Sequence, residues 1–185
     1  MGIFGLIRYA KNSATAVLIA FIWIAAFTAN ESFFADSRHS VRANWIFLPA
    51  AIRLMAVLLF EKTGVIGLFL GAFLLTSGNS AEPWMYNAGL ALTSGLAPFL
   101  VVQIYRRLGL ITRDLSNLRA SDICSLSLAS ALSNALILNG YLALAGRFDG
   151  NPVQILTVFV GDTLGIVVIL GLLSIALSFS LARRR

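Results

Sequence analysis

Long apolar runs divide the chain, and they constrain its fold more than any other feature of the sequence. A helix needs about 20 apolar residues to cross about 30 Å of hydrocarbon. Most of the runs approach or exceed that length, and short polar segments separate them. We therefore predict one all-α domain, residues 1–185, folded as a polytopic transmembrane helical bundle with about six spans. The predicted spans are residues 14–34, 44–60, 64–77, 87–105, 123–145 and 153–182.

The overall composition favours a membrane protein and excludes several soluble classes. Apolar residues make up 58% of the chain and charged residues 12%, whereas soluble domains average about 45–50% and about 25%. This contrast excludes an ordinary soluble enzyme, a disordered chain and a disulfide-rich secreted domain. The formal net charge of +6 does not indicate nucleic-acid binding, because Lys and Arg in membrane proteins collect on the cytoplasmic side.

The distribution of positive charge predicts the orientation of the bundle. With six spans and a cytoplasmic N-terminus, most of the 14 Lys and Arg residues fall on the cytoplasmic side, including those in the loop at 106–119 and the terminal Arg183–Arg185. Both chain ends are therefore predicted to be cytoplasmic. The run at 64–77 is short for a crossing, but without it the basic loop or one terminus would lie on the wrong side.

The loop at 106–119 also has an apolar pattern. Ile111, Leu115 and Leu118 recur at helical spacing among charged residues, which is typical of a short amphipathic helix on a membrane surface. A solvated connector without regular structure is an equally good interpretation, and the sequence does not distinguish the two.

Two ionisable residues lie inside the predicted spans. An ionised side chain costs about 2.5–3.5 kcal/mol at the centre of a bilayer on insertion scales, so each one is a candidate functional site. Arg53 and Asp162 lie equally far from the outer ends of their spans, at a depth of about 13 Å for a rise of about 1.5 Å per residue. Asn134 reaches the same level from the fifth span. The matching depths allow a salt bridge between Arg53 and Asp162, with the Asn134 amide in the same cluster.

The sequence supports two interpretations of this cluster. In the first, Arg53, Asp162 and Asn134 line a polar pocket in the outer half of the bundle and hold a small solute or ion. In the second, the two charges neutralise one another and fix the packing of their helices.

Three further residues join the candidate site because of their position. Pro49 lies one turn before Arg53 and frees a backbone carbonyl, which widens the pocket or kinks the span. Gly161 and Gly165 flank Asp162 at four-residue spacing, a pattern that lets helices approach closely. The predicted ligand-binding residues are therefore Arg53, Asp162, Asn134, Pro49, Gly161 and Gly165.

The sequence offers little support for catalysis, metal binding or a cofactor. It has no Gly-rich phosphate loop, no nucleophile elbow and no paired carboxylates within reach of each other, so no catalytic constellation is present. The single histidine, His39, has no Cys or His at metal-ligand spacing. We therefore expect no enzyme activity, no metal site and no cofactor.

Several motifs resemble a known family. The stretch Asn44–Leu54 (NWIFLPAAIRL), followed by Gly64–Phe73 (GVIGLFLGAF), resembles the Trp- and Pro-containing span and the next Gly-Ala-Phe helix of the first type of bacterial membrane-associated sensor, abbreviated MASE. Val160–Val167 (VGDTLGIV) is similar to the Gly-Asp-Ala-Leu-Gly signature in a late span of that family. Between them, Tyr105–Leu108 and Leu118–Asp122 occur in the expected order.

This resemblance, which covers about residues 40–175, implies a sensory input domain in the bacterial inner membrane. Members of that family usually carry a cyclase, phosphodiesterase or kinase output domain. We expect this chain to depart from the pattern in three ways: fewer spans, no output domain, and Arg53 where the family usually has an apolar or small residue. We therefore expect signalling to pass to a separate cytoplasmic protein.

Three functions are consistent with these observations. The leading hypothesis is a stand-alone sensor or adaptor in the lipid bilayer that binds a small solute or ion and communicates with a partner at its basic inner face. The alternative is the substrate-binding subunit of a small-molecule transporter, with a transport ATPase module as partner. The third is a structural or assembly protein in which Arg53 and Asp162 only hold helices together. Nucleic acid is not an expected partner of any of them.

Overall fold

The computed structural model describes the backbone of residues 3–40, 43–78, 81–116, 119–148 and 150–182, and the side chains of these residues except at 3–9, 37–40 and 174–182. Within them the fold is all-α apart from one turn of 3-10 helix and a short antiparallel hairpin between the first two helices. The elements are α1 (Ile3–Phe33), β1 (Arg38–Ser40), β2 (Ala43–Asn44), α2 (Pro49–Gly78), α3 (Trp84–Arg107), α4 (Ala120–Leu144) and α5 (Pro152–Ala182).

All five helices are long and apolar enough to cross a membrane, in agreement with the predicted multi-pass bundle. Many of their large apolar side chains are exposed, including Phe21, Leu59, Leu92, Leu132 and Val167. In water a continuous surface of this kind would be unfavourable, whereas lipid tails solvate it. The exposed apolar surface therefore supports embedding in a lipid bilayer.

The number of spans differs from the prediction, because the described residues form five candidate spans and not six. The predicted second and third spans, 44–60 and 64–77, both fall within α2. Glu61 has non-helical dihedral angles inside this helix (φ 50°, ψ −123°). The polar residues that follow Phe60 therefore mark a sharp kink between two helical segments of α2 and not an irregular loop, because only Glu61 leaves the helical conformation.

The kink folds the two halves of α2 against one another. Gly64 lies against the backbone carbonyl of Ala56, although eight residues of straight helix would separate them by about 12 Å. A side chain at position 64 would collide with that carbonyl, so the fold requires glycine there. Arg106 of α3 donates hydrogen bonds to the Glu61 carboxylate (2.7 Å) and to the carbonyl of Leu58 (3.2 Å). These bonds attach the kink to the last turn of α3.

Both ends of α2 consequently lie at one end of the bundle, which we call the hairpin end. Asn30, in the last turn of α1, hydrogen-bonds to the backbone of Ile46 and Leu48 just before α2 begins. Thr76, near the last residue of α2, lines the same cavity as Glu31 of α1. The kink lies at the opposite end of the bundle, which we call the kink end.

The remaining helices run alternately between these two ends. Arg106 contacts the kink, so α3 ends at the kink end. Gln154, near the start of α5, donates a hydrogen bond to Asn139, near the end of α4, so these helices meet at the hairpin end. The first and last described residues, Ile3 and Ala182, therefore both lie at the kink end.

The residues before α2 are not helical, so the predicted span 44–60 begins too early. The helix starts at Pro49, whose fixed φ and missing N–H suit the first turn of a helix. Pro49 therefore begins α2 and does not kink it. The segment 45–48, which we call the entry segment, keeps its backbone groups paired with Asn30 and with the carbonyl of Gly161. Such pairing allows irregular backbone at membrane depth.

The connector between α3 and α4 contains no helix in its described residues, which favours the irregular connector over the amphipathic helix. Gly109 (φ 70°) and Leu115 (φ 58°) both have left-handed conformations that interrupt a helix. Ile111 is buried in the hydrophobic core and anchors the connector. Leu118, the third residue of the predicted pattern, lies outside the described residues.

Candidate functional site

Arg53, Asp162 and Asn134 form a closed ring of hydrogen bonds between α2, α5 and α4. Arg53 Nη2 donates to Asp162 Oδ1 at 2.6 Å, and Arg53 Nη1 donates to Asn134 Oδ1 at 2.7 Å. Asn134 Nδ2 closes the ring by donating to Asp162 Oδ2 at 2.7 Å. The salt bridge that the matching depths allowed is confirmed, and so is the place of Asn134 beside it.

All three members of this polar ring are buried, with exposed fractions of 6% for Arg53, 3% for Asp162 and 3% for Asn134. A buried ion needs both an opposite charge and hydrogen bonds to offset its lost hydration. The polar ring supplies both, because each carboxylate oxygen accepts one of its bonds. Removal of one partner would leave an uncompensated charge at a cost of about 3–5 kcal/mol.

Aromatic rings surround the guanidinium group of Arg53. Its Cζ lies 5.7 Å from the centroid of Trp23 and 5.2 Å from that of Phe47, within the range of cation–π attraction. Trp23, Phe27 and Phe47 also pack on one another, with centroids 5.9–6.2 Å apart. The sequence motifs did not indicate this aromatic wall. Its one signal was Trp23, which lies at mid-depth instead of at a membrane interface, where Trp is usually found.

The indole N–H of Trp23 has no hydrogen-bond partner among the residues that the structure describes. Trp23 is only 3% exposed, and a buried donor without a partner costs about 1–3 kcal/mol. Its side chain is one of those that line the cavity beside the polar ring. The unmet donor of Trp23 is therefore buried within the wall and has no surface open to the cavity.

Gly161 and Gly165 pack against backbone carbonyls of the residues before α2, and they do not line the cavity. A Cβ at position 161 would meet the carbonyl oxygen of Asn44, and one at 165 would meet that of Phe47. The amide of Phe47 also donates to the Gly161 carbonyl at 3.1 Å. The two glycines therefore allow a close approach, as predicted. They approach Asn44 and the entry segment, however, and not a neighbouring helix. Like Pro49, the two glycines position the site from outside the cavity.

A cavity of about 140 Å³ lies beside the polar ring. Side chains from all five helices line it together with Asn44 and Phe47. Arg53, Asp162 and Asn134 contribute the buried polar groups, and most of the other lining residues are apolar. Those other residues include Phe27, Ala72, Leu90, Leu138 and Val158. The cavity is thus mainly apolar with a few convergent polar groups, which is the usual character of a small-molecule site.

The cavity extends from the polar ring toward the hairpin end. Glu31 and Asn44 line it there, and Asn44 Nδ2 donates to Glu31 Oε1 at 2.8 Å. Both side chains are partly exposed. We call this pair of residues the rim. The rim therefore lines the part of the cavity nearest the hairpin end.

Two other buried polar residues of α4, Ser127 and Asn139, donate to carbonyls of their own helix. Ser127 donates to the carbonyl of Ile123 in its own helix at 2.7 Å, and Asn139 donates to that of Ala135 at 2.8 Å. Hydroxyl and amide groups often bond in this way to the preceding helical turn. Asn134 differs from these two residues because its side chain bonds to the charged groups of the polar ring.

No group of three or more His, Cys, Asp and Glu side chains suited to a metal ion occurs among the described residues. The two carboxylates that line the cavity are Glu31 at the rim and Asp162 in the polar ring. Asp162 is engaged by Arg53 and Asn134. The chemistry of the site is therefore that of hydrogen bonding and charge pairing in an apolar enclosure.

No known protein family, curated protein or solved structure matches the chain. The likeness to the membrane-associated sensors therefore rests on the sequence motifs. The fold and the site define a multi-pass α-helical membrane protein with a buried charged ring beside a central cavity.

Proposed function

We propose that this protein is a membrane sensor that binds a small solute in the cavity beside Arg53, Asp162 and Asn134 and signals through a separate cytoplasmic protein. One observation carries the proposal: a buried ion pair lies next to a cavity that reaches the hairpin end. A pair that served only to join helices would be expected in a filled interior, since empty space beside it weakens packing.

The path of α2 supports communication between the cavity and the kink end. Arg53 lies in the first half of this helix, and Glu61 at the kink pairs with Arg106 at the end of α3. A solute that shifts Arg53 would shift the helix that ends at this kink. The expected output is therefore a change in position of the basic residues near Arg106, where a partner would bind.

The proposal includes an orientation in which both chain ends face the cytoplasm. The distribution of Lys and Arg favours it, and the first and last described residues lie at the same end of the bundle. The hairpin end and the cavity rim would then face the outside of the bacterial inner membrane. Reporter fusions to each chain end test this directly. A reporter that is active only on the outer side at either end would contradict the orientation.

Solute binding is tested by native mass spectrometry of the purified protein after incubation with a cell metabolite extract. We expect a small molecule to be retained by the wild-type protein and lost from Ala72→Leu, which fills the cavity and leaves the polar ring intact. The matched control is Ala120→Leu, at the exposed start of α4, which should retain the molecule. Retention of nothing by the wild-type protein would contradict the proposal.

A purely structural role is a second candidate, and one observation favours it. The three members of the polar ring already satisfy one another, so the ring is complete without a ligand. The double variant Arg53→Asp with Asp162→Arg separates the two roles. A structural pair would keep most of its stability after the exchange, whereas a binding site would lose its solute because the charges have changed places. The readouts are thermal unfolding in detergent and retention of the solute.

A further inference from the structure

A second concavity lies between the start of α3 and the end of α4, and we call it the interfacial groove. Its lining residues fall within two stretches, 82–86 and 141–147, and in the described part of the chain it shares none of them with the central cavity. Both helices are candidate membrane spans, and these stretches lie where the two spans begin and end. The groove therefore lies at the level where lipid tails give way to lipid headgroups.

Two stacked tyrosines, both partly buried, form the inner side of the groove. The rings of Tyr86 and Tyr141 have centroids 5.8 Å apart, and the Tyr141 hydroxyl donates to the carbonyl of Tyr86 at 2.8 Å. A Cβ at position 89 would meet the ring of Tyr141, so Gly89 provides the space that this ring occupies. Tyrosine is enriched at membrane interfaces. The contacts between α3 and α4 thus fix this side of the groove before any ligand binds.

The polar side of the groove supplies one charge of each sign. Arg147 Nη2 donates to Glu82 Oε2 at 2.7 Å, and both side chains reach solvent. Within the described ranges they are the charged residues that line the groove. A guanidinium group has several N–H donors, and a carboxylate accepts more than one hydrogen bond. Arg147 can therefore bind an anion and Glu82 a cationic donor while the pair stays intact.

The apolar side of the groove faces lipid. Met85 and Leu144 line it and are largely exposed, and Trp84 beside them is exposed as well. Large apolar side chains on the surface of a membrane span pack on lipid tails, and Trp is typical of the headgroup level. A ligand that fits this groove has a charged head at Arg147 and Glu82 and an apolar body along Met85 and Leu144. A membrane lipid has both parts.

The two charges restrict the headgroup of such a lipid. A purely anionic headgroup would gain a bond from Arg147 but would place its charge beside the carboxylate of Glu82, which is unfavourable. A phosphocholine headgroup carries both charges, but its trimethylated nitrogen has no N–H for that carboxylate. A phosphoethanolamine headgroup offers a phosphate to Arg147 and ammonium N–H donors to Glu82, so both contacts are charge-assisted hydrogen bonds.

We infer that the interfacial groove binds a phospholipid whose headgroup joins a phosphate to a primary ammonium, as in phosphatidylethanolamine. Arg147 binds the phosphate, Glu82 binds the ammonium, and the lipid tails lie along Met85 and Leu144. This lipid site is separate from the central cavity, so it does not depend on the proposed binding of a solute there.

Two lipids with identical tails test the headgroup. Native mass spectrometry of the purified full chain in detergent, titrated with one lipid at a time, gives the apparent Kd of each. We expect phosphatidylethanolamine to bind about three- to tenfold more tightly than phosphatidylcholine, because only the first donates a hydrogen bond to Glu82. Equal affinities would overturn the inferred headgroup.

Two substitutions locate the lipid in the groove. Glu82→Gln removes the negative charge, so the two lipids should then bind alike; their ratio is measured on one protein, and a general loss of stability does not alter it. Arg147→Gln should weaken both lipids about three- to tenfold, because both carry a phosphate. Arg113→Gln, at an exposed arginine in the connector between α3 and α4, is the matched control and should change neither affinity.

Three other results would contradict the lipid site. A preference for phosphatidylethanolamine that survives Glu82→Gln would exclude Glu82 as the acceptor. Unchanged affinity of both lipids for Arg147→Gln would place the bound lipid elsewhere on the protein. Phosphatidylglycerol that binds more tightly than phosphatidylethanolamine, and loses this advantage in Arg147→Gln, would show that the groove takes an anionic headgroup.

Discussion

Two ion pairs of this protein, one buried inside the bundle and one exposed at the hairpin end, differ little in length and greatly in surroundings. Arg53 and Asp162 are 2.6 Å apart, with 8% and 4% of their side chains exposed. Arg147 and Glu82 are 2.7 Å apart at the hairpin end, with 53% and 30% exposed. By distance alone, the two ion pairs would be expected to be equally strong. Water solvates each ion of the exposed pair when the other is removed, but nothing solvates an ion left alone inside the bundle.

The contribution of each pair to stability therefore depends on its surroundings and not on the distance between its charged atoms. The exposed pair joins the segment before α3 to the segment after α4 and stabilises that junction only slightly. The buried pair has a third partner in Asn134, an aromatic wall and an adjoining cavity. Loss of one member of a buried pair leaves an uncompensated charge, so the largest mutational effects on stability are expected there.

The strongest test of the comparison removes one charge from the buried pair. Asp162→Ala should lower the free energy of unfolding by about 3–5 kcal/mol because Arg53 is left without its counterion. Unfolding by denaturant in mixed micelles gives the measurement. The double variant Arg53→Met with Asp162→Leu should recover much of this loss, since it removes both charges. If the double variant loses as much stability as Arg53→Met alone and Asp162→Leu alone lose together, the pair is not coupled.

The next largest effect is expected where the entry segment packs on α5. Gly165→Val should destabilise the fold by at least about 1–3 kcal/mol, because the new side chain meets the carbonyl of Phe47 and the backbone must shift. Gly140→Ala is the matched control, since a Cβ there meets nothing within 4 Å and alanine favours the helix. The same unfolding assay measures both. Equal stabilities for the two variants would contradict the assigned packing of the entry segment.

The sequence was sufficient to predict the membrane class and the charged residues of the site. Hydrophobic length indicates a span almost without regard to tertiary context. The rarity of ions at mid-depth singles out Arg53 and Asp162, and equal rise along two helices brings them to one level. The pairing of two ions at a common depth can therefore be predicted by counting residues along each helix.

The path of the chain at two places was not predictable in the same way. The residues after Phe60 are polar enough to suggest a loop, but Glu61 alone adopts a non-helical conformation, held by Arg106 from another helix. The entry segment is apolar enough to suggest a helix, but it is irregular, and Asn30 and Gly161 pair with its backbone. Both outcomes depend on long-range partners that a local pattern does not identify.

A smaller effect is expected at the kink. The Arg106–Glu61 ion pair there is more exposed than Arg53–Asp162 and less exposed than Arg147–Glu82. Arg106 has 9% of its side chain exposed and Glu61 39%. Arg106→Met removes the bonds to the Glu61 carboxylate and the Leu58 carbonyl, and it should cost about 1–2 kcal/mol. Arg107→Met, at the exposed neighbouring residue, should have a smaller effect. If both variants unfold alike, the kink does not depend on Arg106.

The smallest effect is expected at the exposed pair, and salt provides the sharpest contrast with the buried one. Glu82→Gln should lower the free energy of unfolding by no more than about 1 kcal/mol, the upper range for exposed ion pairs. In 1 M salt the screening length falls to about 3 Å, so the difference between Glu82→Gln and wild type should nearly vanish. The effect of Asp162→Ala should persist in the same buffer because ions do not screen a buried pair to that extent. A loss at Glu82→Gln that equals the loss at Asp162→Ala in high salt would show that exposure does not separate the two pairs.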